Sequence, residues 1–228
     1  MNRLASCLAL LLATVAAPAI AQTDANVTAD MPPAQQVVAR ATSPDGTLAL
    51  AVSIDGDGRA SYSLTRKGRP VLGLSRLGFL FTDAPKIDRN MTLAGTSTDR
   101  ADTTWTQPFG EWKTIRDRHN ELTVRLVEKN GLKREVDVTF RLFDDGMGFR
   151  YTFPKQPGLG TVHIAEELTQ FAFAQPARAW WKPAYEWNRE EYLYRNTPLA
   201  EVGTAQTVMT LKLADGTHVA LHEAALVD

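Results

Sequence analysis

Short apolar–polar alternations, cut by Asp-Gly turns, constrain this chain more than any other feature. Thr47–Ile54, Val136–Leu142 and Phe149–Phe153 alternate every second residue, and Leu122–Val127 alternates less strictly. A period of two puts apolar side chains on one sheet face and polar ones on the other. Asp-Gly occurs at 45–46, 55–56, 57–58, 145–146 and 215–216, and Asn130-Gly131 adds another turn signal. These dipeptides supply the positive φ of tight hairpin turns. Two hairpins follow: one across Leu142–Phe149, around Asp144-Asp145-Gly146, and one across Leu211–Leu221, around Asp215-Gly216. No window beyond the N-terminal run forms a convincing amphipathic helix, and no internal repeat stands out. Many short strands with regular turn signals predict an all-β fold, an antiparallel sandwich.

Composition removes several classes of function. A hydrophobic content of 44% supports a packed core and excludes wholesale disorder. A formal net charge of −1 lacks the basic excess of a general nucleic-acid binder. The single cysteine, Cys7, excludes a disulfide framework and a Cys-rich zinc site.

The N-terminus reads as a secretory signal peptide over residues 1–21. Met1-Asn2-Arg3 is a short basic start, Leu4–Ala17 is largely apolar, and Ala19-Ile20-Ala21 gives the small-x-small pattern before Gln22. The apolar run is shorter than a membrane-spanning helix requires. Export, most simply to a periplasm, is expected, with no membrane attachment after cleavage. Residues 22–42 are rich in Ala, Pro and Gln and read as a flexible lead segment.

Two aromatic- and charge-rich stretches interrupt the strands. Trp105–Glu121 and Trp180–Tyr194 contain all five tryptophans. Neither alternates well, so both are expected to be long structured loops, where sandwiches usually carry function. Trp112, Trp180, Trp181, Trp187, Tyr192 and Tyr194 offer flat rings that can stack on sugars. In an extended Trp180-Trp181 segment, one ring points in and the other out.

Glycoside hydrolysis needs two carboxyl groups facing each other across the bond. The acidic pairs here are Asp144-Asp145, Glu166-Glu167 and Glu190-Glu191. Neighbours in a strand point to opposite faces, so adjacency alone makes no dyad. Asp144-Asp145 reads as turn chemistry and Glu166-Glu167 as a strand end or solvated edge. Glu190-Glu191 sits among aromatics, where one carboxylate could complete a calcium site built mainly elsewhere. His119, His163, His218 and His222 show no H-E-x-x-H spacing, and His222-Glu223 reads as a polar pair at a strand end. There is no G-x-S-x-G elbow, phosphate loop or G-x-G-x-x-G.

The chain resembles the N-terminal domain of glycoside hydrolase family 97, which comprises bacterial α-glucosidases and α-galactosidases. The resemblance rests on SPDGTLALAV (43–52), SRLGF (75–79), TTWTQPFGEWKTIRDRHNELTV (103–124), FRLFDDGMGFRYTFP (140–154), AWWKPAYE (179–186), EEYLYRNTPLAEV (190–202) and LADGTHVALHEAALVD (213–228). It implies a galactose-mutarotase-like β-super-sandwich over 43–228 that packs on a (β/α)₈ barrel. In the family the barrel supplies the catalytic acid, a nucleophile or base, and most ligands of a calcium ion. The N-terminal domain adds one glutamate, which corresponds to Glu191. Phe109 stands where the family commonly has Trp.

The resemblance therefore implies no catalytic residue in this chain. It implies carbohydrate, an α-glucoside or α-galactoside, as the ligand, with no nucleic-acid partner. Trp112, Trp187, Tyr192, Glu111 and His119 are the substrate-contact candidates. Calcium belongs to the parent family. One glutamate cannot hold it tightly, because the ion takes roughly six to eight oxygens. The family continues past the position of Asp228, so the sandwich is expected to lack its last strands and its barrel partner. The rival readings are a free-standing carbohydrate-binding sandwich and an inactive structural remnant.

Overall fold

The alternating segments form antiparallel strands in the structure, a computed structural model that describes residues 34–185 and 192–223. The expected signal segment, Trp187 and Glu190-Glu191 lie outside the described residues.

The first sheet is a meander of β1 (Gln36–Thr42), β2 (Leu48–Ile54), β3 (Ala60–Arg66) and β4 (Arg69–Arg76). The second is a meander of β6 (Met91–Thr106), β7 (Thr114–Glu128), β8 (Glu135–Leu142) and β9 (Met147–Thr152). Two short strands, β5 (Phe79–Phe81) and β10 (Ile164–Glu167), pair with each other. The third large sheet runs in the order β12 (Arg195–Pro198), β11 (Ala177–Trp181), β13 (Met209–Leu213) and β14 (His218–Leu221). A 3-10 turn at Leu199–Glu201 follows β12.

The alternation decides which faces meet. Leu48, Leu50, Val52, Tyr62 and Leu64 of the first sheet share one core with Leu122, Val124, Leu126, Val138 and Phe140 of the second. Removing a Leu or Phe side chain from water stabilises by about 1.5–3 kcal/mol, so two such faces hold the layers together. Tyr62 anchors the middle: its ring lies 5.9 Å from Phe140 and 5.4 Å from Phe149. Its hydroxyl donates to the Gln170 carbonyl at 2.8 Å, and burial pushes its pKa up. The third sheet adds a smaller cluster of Ala179, Trp181 and Leu211.

Both expected hairpins form, as β8–β9 and β13–β14. The β2–β3 turn shows why Gly58 is glycine. Its φ is +78°, and a Cβ there would lie 2.5 Å from the Met91 nitrogen. At the β7–β8 turn, Arg134 is 1% exposed yet fully paired. It donates to Glu128 through Nε at 2.9 Å and Nη2 at 2.6 Å, and to the Pro85 carbonyl at 2.6 Å. Arg134 thereby ties the β7–β8 turn to the loop after β5. Burial opposes ionisation of Glu128, but the Arg134 hydrogen bonds hold its pKa below the ordinary value.

Three sequence expectations need correction. Residues 36–42, read within a flexible lead, form β1 paired to β2; a register shift between Val37 and Ala39 breaks the period there. Trp105–Glu121 is not one long loop: Trp105 ends β6, Thr114–Glu121 belongs to β7, and only 107–113 is loop. Trp180 and Trp181 lie in β11, with Trp181 buried at 3% exposure and Trp180 half-buried, so one ring points in and the other out as expected. Three local assignments agree with the structure. Asp144-Asp145 lies in the β8–β9 turn, Glu166-Glu167 is exposed at the end of β10, and His222-Glu223 follows β14.

Candidate functional site: an aromatic-tipped hairpin arm

The β6–β7 hairpin is twice anchored at its base and free beyond it. β7 pairs with β6 from Thr114 to Glu128 but with β8 only from Asn120 to Val127. Past Asn120 the hairpin is a two-stranded arm. Such ribbons are marginal in water without added contacts. Cross-strand ion pairs supply some of these contacts. Arg116 binds Asp102 through Nε and Nη2, each at 2.7 Å, and these hydrogen bonds hold the Asp102 carboxyl below its usual pKa. Lower on the arm, Arg118 donates to Asp144 at 2.7 Å.

The tip spans 107–113. Gln107 closes it: its backbone N–H donates to the Lys113 carbonyl at 3.1 Å and its side-chain amide to the Trp112 carbonyl at 2.6 Å. The rings then point to solvent, with Phe109 86%, Trp112 70% and Trp105 52% exposed. Exposed aromatics grouped on one projection mark a contact surface. Glu111 is exposed between them and adds a carboxylate. Stacking rings beside a hydrogen-bond acceptor suit a sugar, which has apolar C–H faces and hydroxyl edges.

The candidates are not all brought together. Trp112 and Glu111 share the tip. His119 is instead 4% exposed, well down the arm. Its Nδ1 shares a hydrogen bond of 2.5 Å with Asp117, and its ring centroid lies 5.1 Å from Phe143. The loop after β8 covers it, which a linear reading of β7 does not reveal. Tyr192 is half-buried beyond β11, and Trp187 and Glu191 lie outside the described residues. Around that second segment Tyr185 is 93%, Leu193 91% and Tyr194 62% exposed. Lys182 places its Nζ 5.6 Å from the Tyr194 ring centroid. Trp105 and Tyr185 were absent from the candidate set, although their membership in the aromatic stretches was a usable signal.

The carboxylates described elsewhere are largely committed to structure. Asp137 binds Arg125 at 2.8 Å, Glu121 binds Arg141 at 2.8 Å, and Asp83 binds His163 at 2.7 Å. Asp45 accepts from Thr47 and Ser43, which hold its pKa far below the usual carboxylate range. Among the described residues no three His, Cys, Asp or Glu side chains converge as a metal site.

The chain is similar to a glycoside hydrolase family 97 enzyme from Pseudoalteromonas sp. strain K8, solved in complex with panose and with acarbose. The two are 40% identical, with a TM-score of 0.79, over 83% of this chain and 29% of that one. A β-arabinopyranosidase structure is 26% identical with a TM-score of 0.74, over 82% of this chain and 32% of that one. A probable retaining α-galactosidase from Streptomyces bingchenggensis is 28% identical over 149 residues, 65% of this chain and 22% of that protein. This chain therefore spans less than a third of the length of these relatives.

The glycosyl-hydrolase 97 N-terminal family model matches residues 41–228, and the chain belongs to that family.

Proposed function

We propose that this chain is the carbohydrate-contacting and scaffolding N-terminal domain of an exported family 97 glycoside hydrolase acting on α-glucosides or α-galactosides. The observation that carries this reading is the 40% identity, across 83% of the chain, to an enzyme solved with panose and acarbose. The exposed rings of the arm supply the contact surface, with Trp112 and Glu111 foremost. The chain provides binding and positioning rather than the acid and nucleophile, since hydrolysis needs two carboxyl groups held at fixed distance on a rigid frame. The basic start, apolar run and small-x-small pattern over residues 1–21 support export, most simply to a periplasm.

Calcium enters this reading only through Glu191. One carboxylate supplies at most two of the roughly six to eight oxygens the ion takes, so tight binding depends on ligands from the rest of the parent enzyme. A calcium titration of this chain alone is expected to show no tight site; tight binding would contradict that dependence.

The test is a paired assay on the purified chain. It is expected to bind an α-linked trisaccharide such as maltotriose, seen by tryptophan fluorescence, while releasing no glucose or galactose above background. Turnover that survives purification, or no sugar binding, would contradict the proposal. Loss of binding on Trp187→Ala or Tyr192→Ala, with Trp112→Ala unchanged, would move the contact from the arm to the second aromatic segment.

A further inference from the structure

The outward face of the third sheet carries an arrangement that the arm does not explain. Register sets Arg178 of β11 opposite Lys212 of β13, and Lys212 opposite His218 of β14. Arg178, Lys212 and His218 thus stand in one row across three neighbouring strands, and all are exposed. Strand spacing of about 4.8 Å puts the row within roughly 10 Å. Like charges placed directly opposite each other destabilise a sheet. No ion pair to any of the three forms among the described residues. The nearby hairpin acid, Asp215, is held by Gln175 and by the Thr217 N–H.

Arg178 is also fixed in place. Its Nε and Nη2 donate to the Asn196 side-chain oxygen at 2.9 and 2.5 Å, and Nη2 also donates to the Asn196 carbonyl at 3.0 Å. Nη1 makes no hydrogen bond among the described residues. With both Nη2 hydrogens spent on Asn196, the two N–H groups of Nη1 remain to donate to a carboxylate.

The next row on the same face is Asn196, Trp180, Thr210 and Ala220. Trp180 is half-buried, and directly across the neighbouring strands it faces the short side chains of Asn196 and Thr210. A tryptophan platform beside the two uncompensated cations Arg178 and Lys212 fits a sugar ring that bears a negative charge.

We infer that the outward face of β11–β14 binds an acidic polysaccharide, with its carboxylates on Arg178, Lys212 and His218 and a pyranose ring on Trp180. The face shares no residue with the hairpin arm. It would hold the domain on charged glycan whatever neutral sugar the arm contacts.

The test uses the full chain with polygalacturonate as the probe. Neutral pullulan and a single-stranded oligonucleotide serve as controls. Polygalacturonate is expected to bind, to weaken as sodium chloride screens the cations, and to exceed both controls. Lys212→Gln and Trp180→Ala should each weaken binding about fivefold or more. Lys212 is exposed, so its variant keeps the fold and the test stands even if Trp180→Ala unfolds. Absent binding, equal binding of pullulan or the oligonucleotide, or unchanged binding by a folded variant would overturn the proposal.

Discussion

Strand β7 passes through two environments. From Asn120 to Val127 it lies between β6 and β8, and Leu122, Val124 and Leu126 are buried against the facing sheet. From Thr114 to His119 it pairs with β6 alone, with Thr114 and Arg116 exposed and the other residues half-buried down to the buried His119. The same strand thus belongs to a wall whose side chains stabilise the molecule and to an arm that carries exposed rings at its tip. Sequestered apolar area sets stability, and exposed aromatic area marks interaction, so the two halves should respond oppositely to substitution.

The largest effect belongs to the wall. Phe140→Ala, at 0% exposure and packed on Tyr62, should cost about 3–5 kcal/mol in urea unfolding. Trp112→Ala at the tip should change stability by less than about 0.5 kcal/mol. Equal losses would erase the distinction.

Arg134→Ala should rank beside Phe140→Ala, because it leaves Glu128 buried without its partner, at a cost of about 3–5 kcal/mol. A loss no larger than that of an exposed substitution would show that the pair does not clamp the β7–β8 turn.

A smaller, pH-dependent effect follows from the same pair. The folded-state pKa of Glu128 lies below its ordinary value of 4.5. Its contribution is therefore complete above pH 4.5 and fades as pH falls through the lowered folded value. Glu128→Gln should flatten the acid limb of a stability–pH curve, and an unchanged limb would remove Glu128 as its source.

The smallest effect belongs to the arm. Asp102→Asn breaks an exposed ion pair with Arg116, and the thermal midpoint should stay within error of the parent. A clear drop would mean that the arm contributes to the wall's stability.

Legibility followed the same division. β2 and β8 were readable because one face of each is buried, and burial is what gives alternation its meaning. β6 was not, because from Thr98 to Thr106 it is exposed on both faces except at Ala101, so apolar residues have no side to prefer. Its pairing comes from backbone hydrogen bonds and charged partners, which leave no period in the sequence. β1 was hidden by its bulge. At the candidate site, Trp112 was drawn from aromatic clustering and Glu111 came with the family resemblance; both lie at the exposed tip. The burial of the candidate His119 was not legible, because the ring it packs on, Phe143, comes from a distant turn. The row of Arg178, Lys212 and His218 across β11, β13 and β14 could not be seen at all, since it exists only once register aligns the strands.

The central claim is that the arm carries sugar contact independently of the wall's stability. Calorimetric titration of the chain and its Trp112→Ala variant with maltotriose, beside their thermal unfolding curves, tests it directly. The account predicts that the variant keeps the parental midpoint and loses the binding heat. Unchanged binding heat, or a lost midpoint together with lost binding, would contradict it.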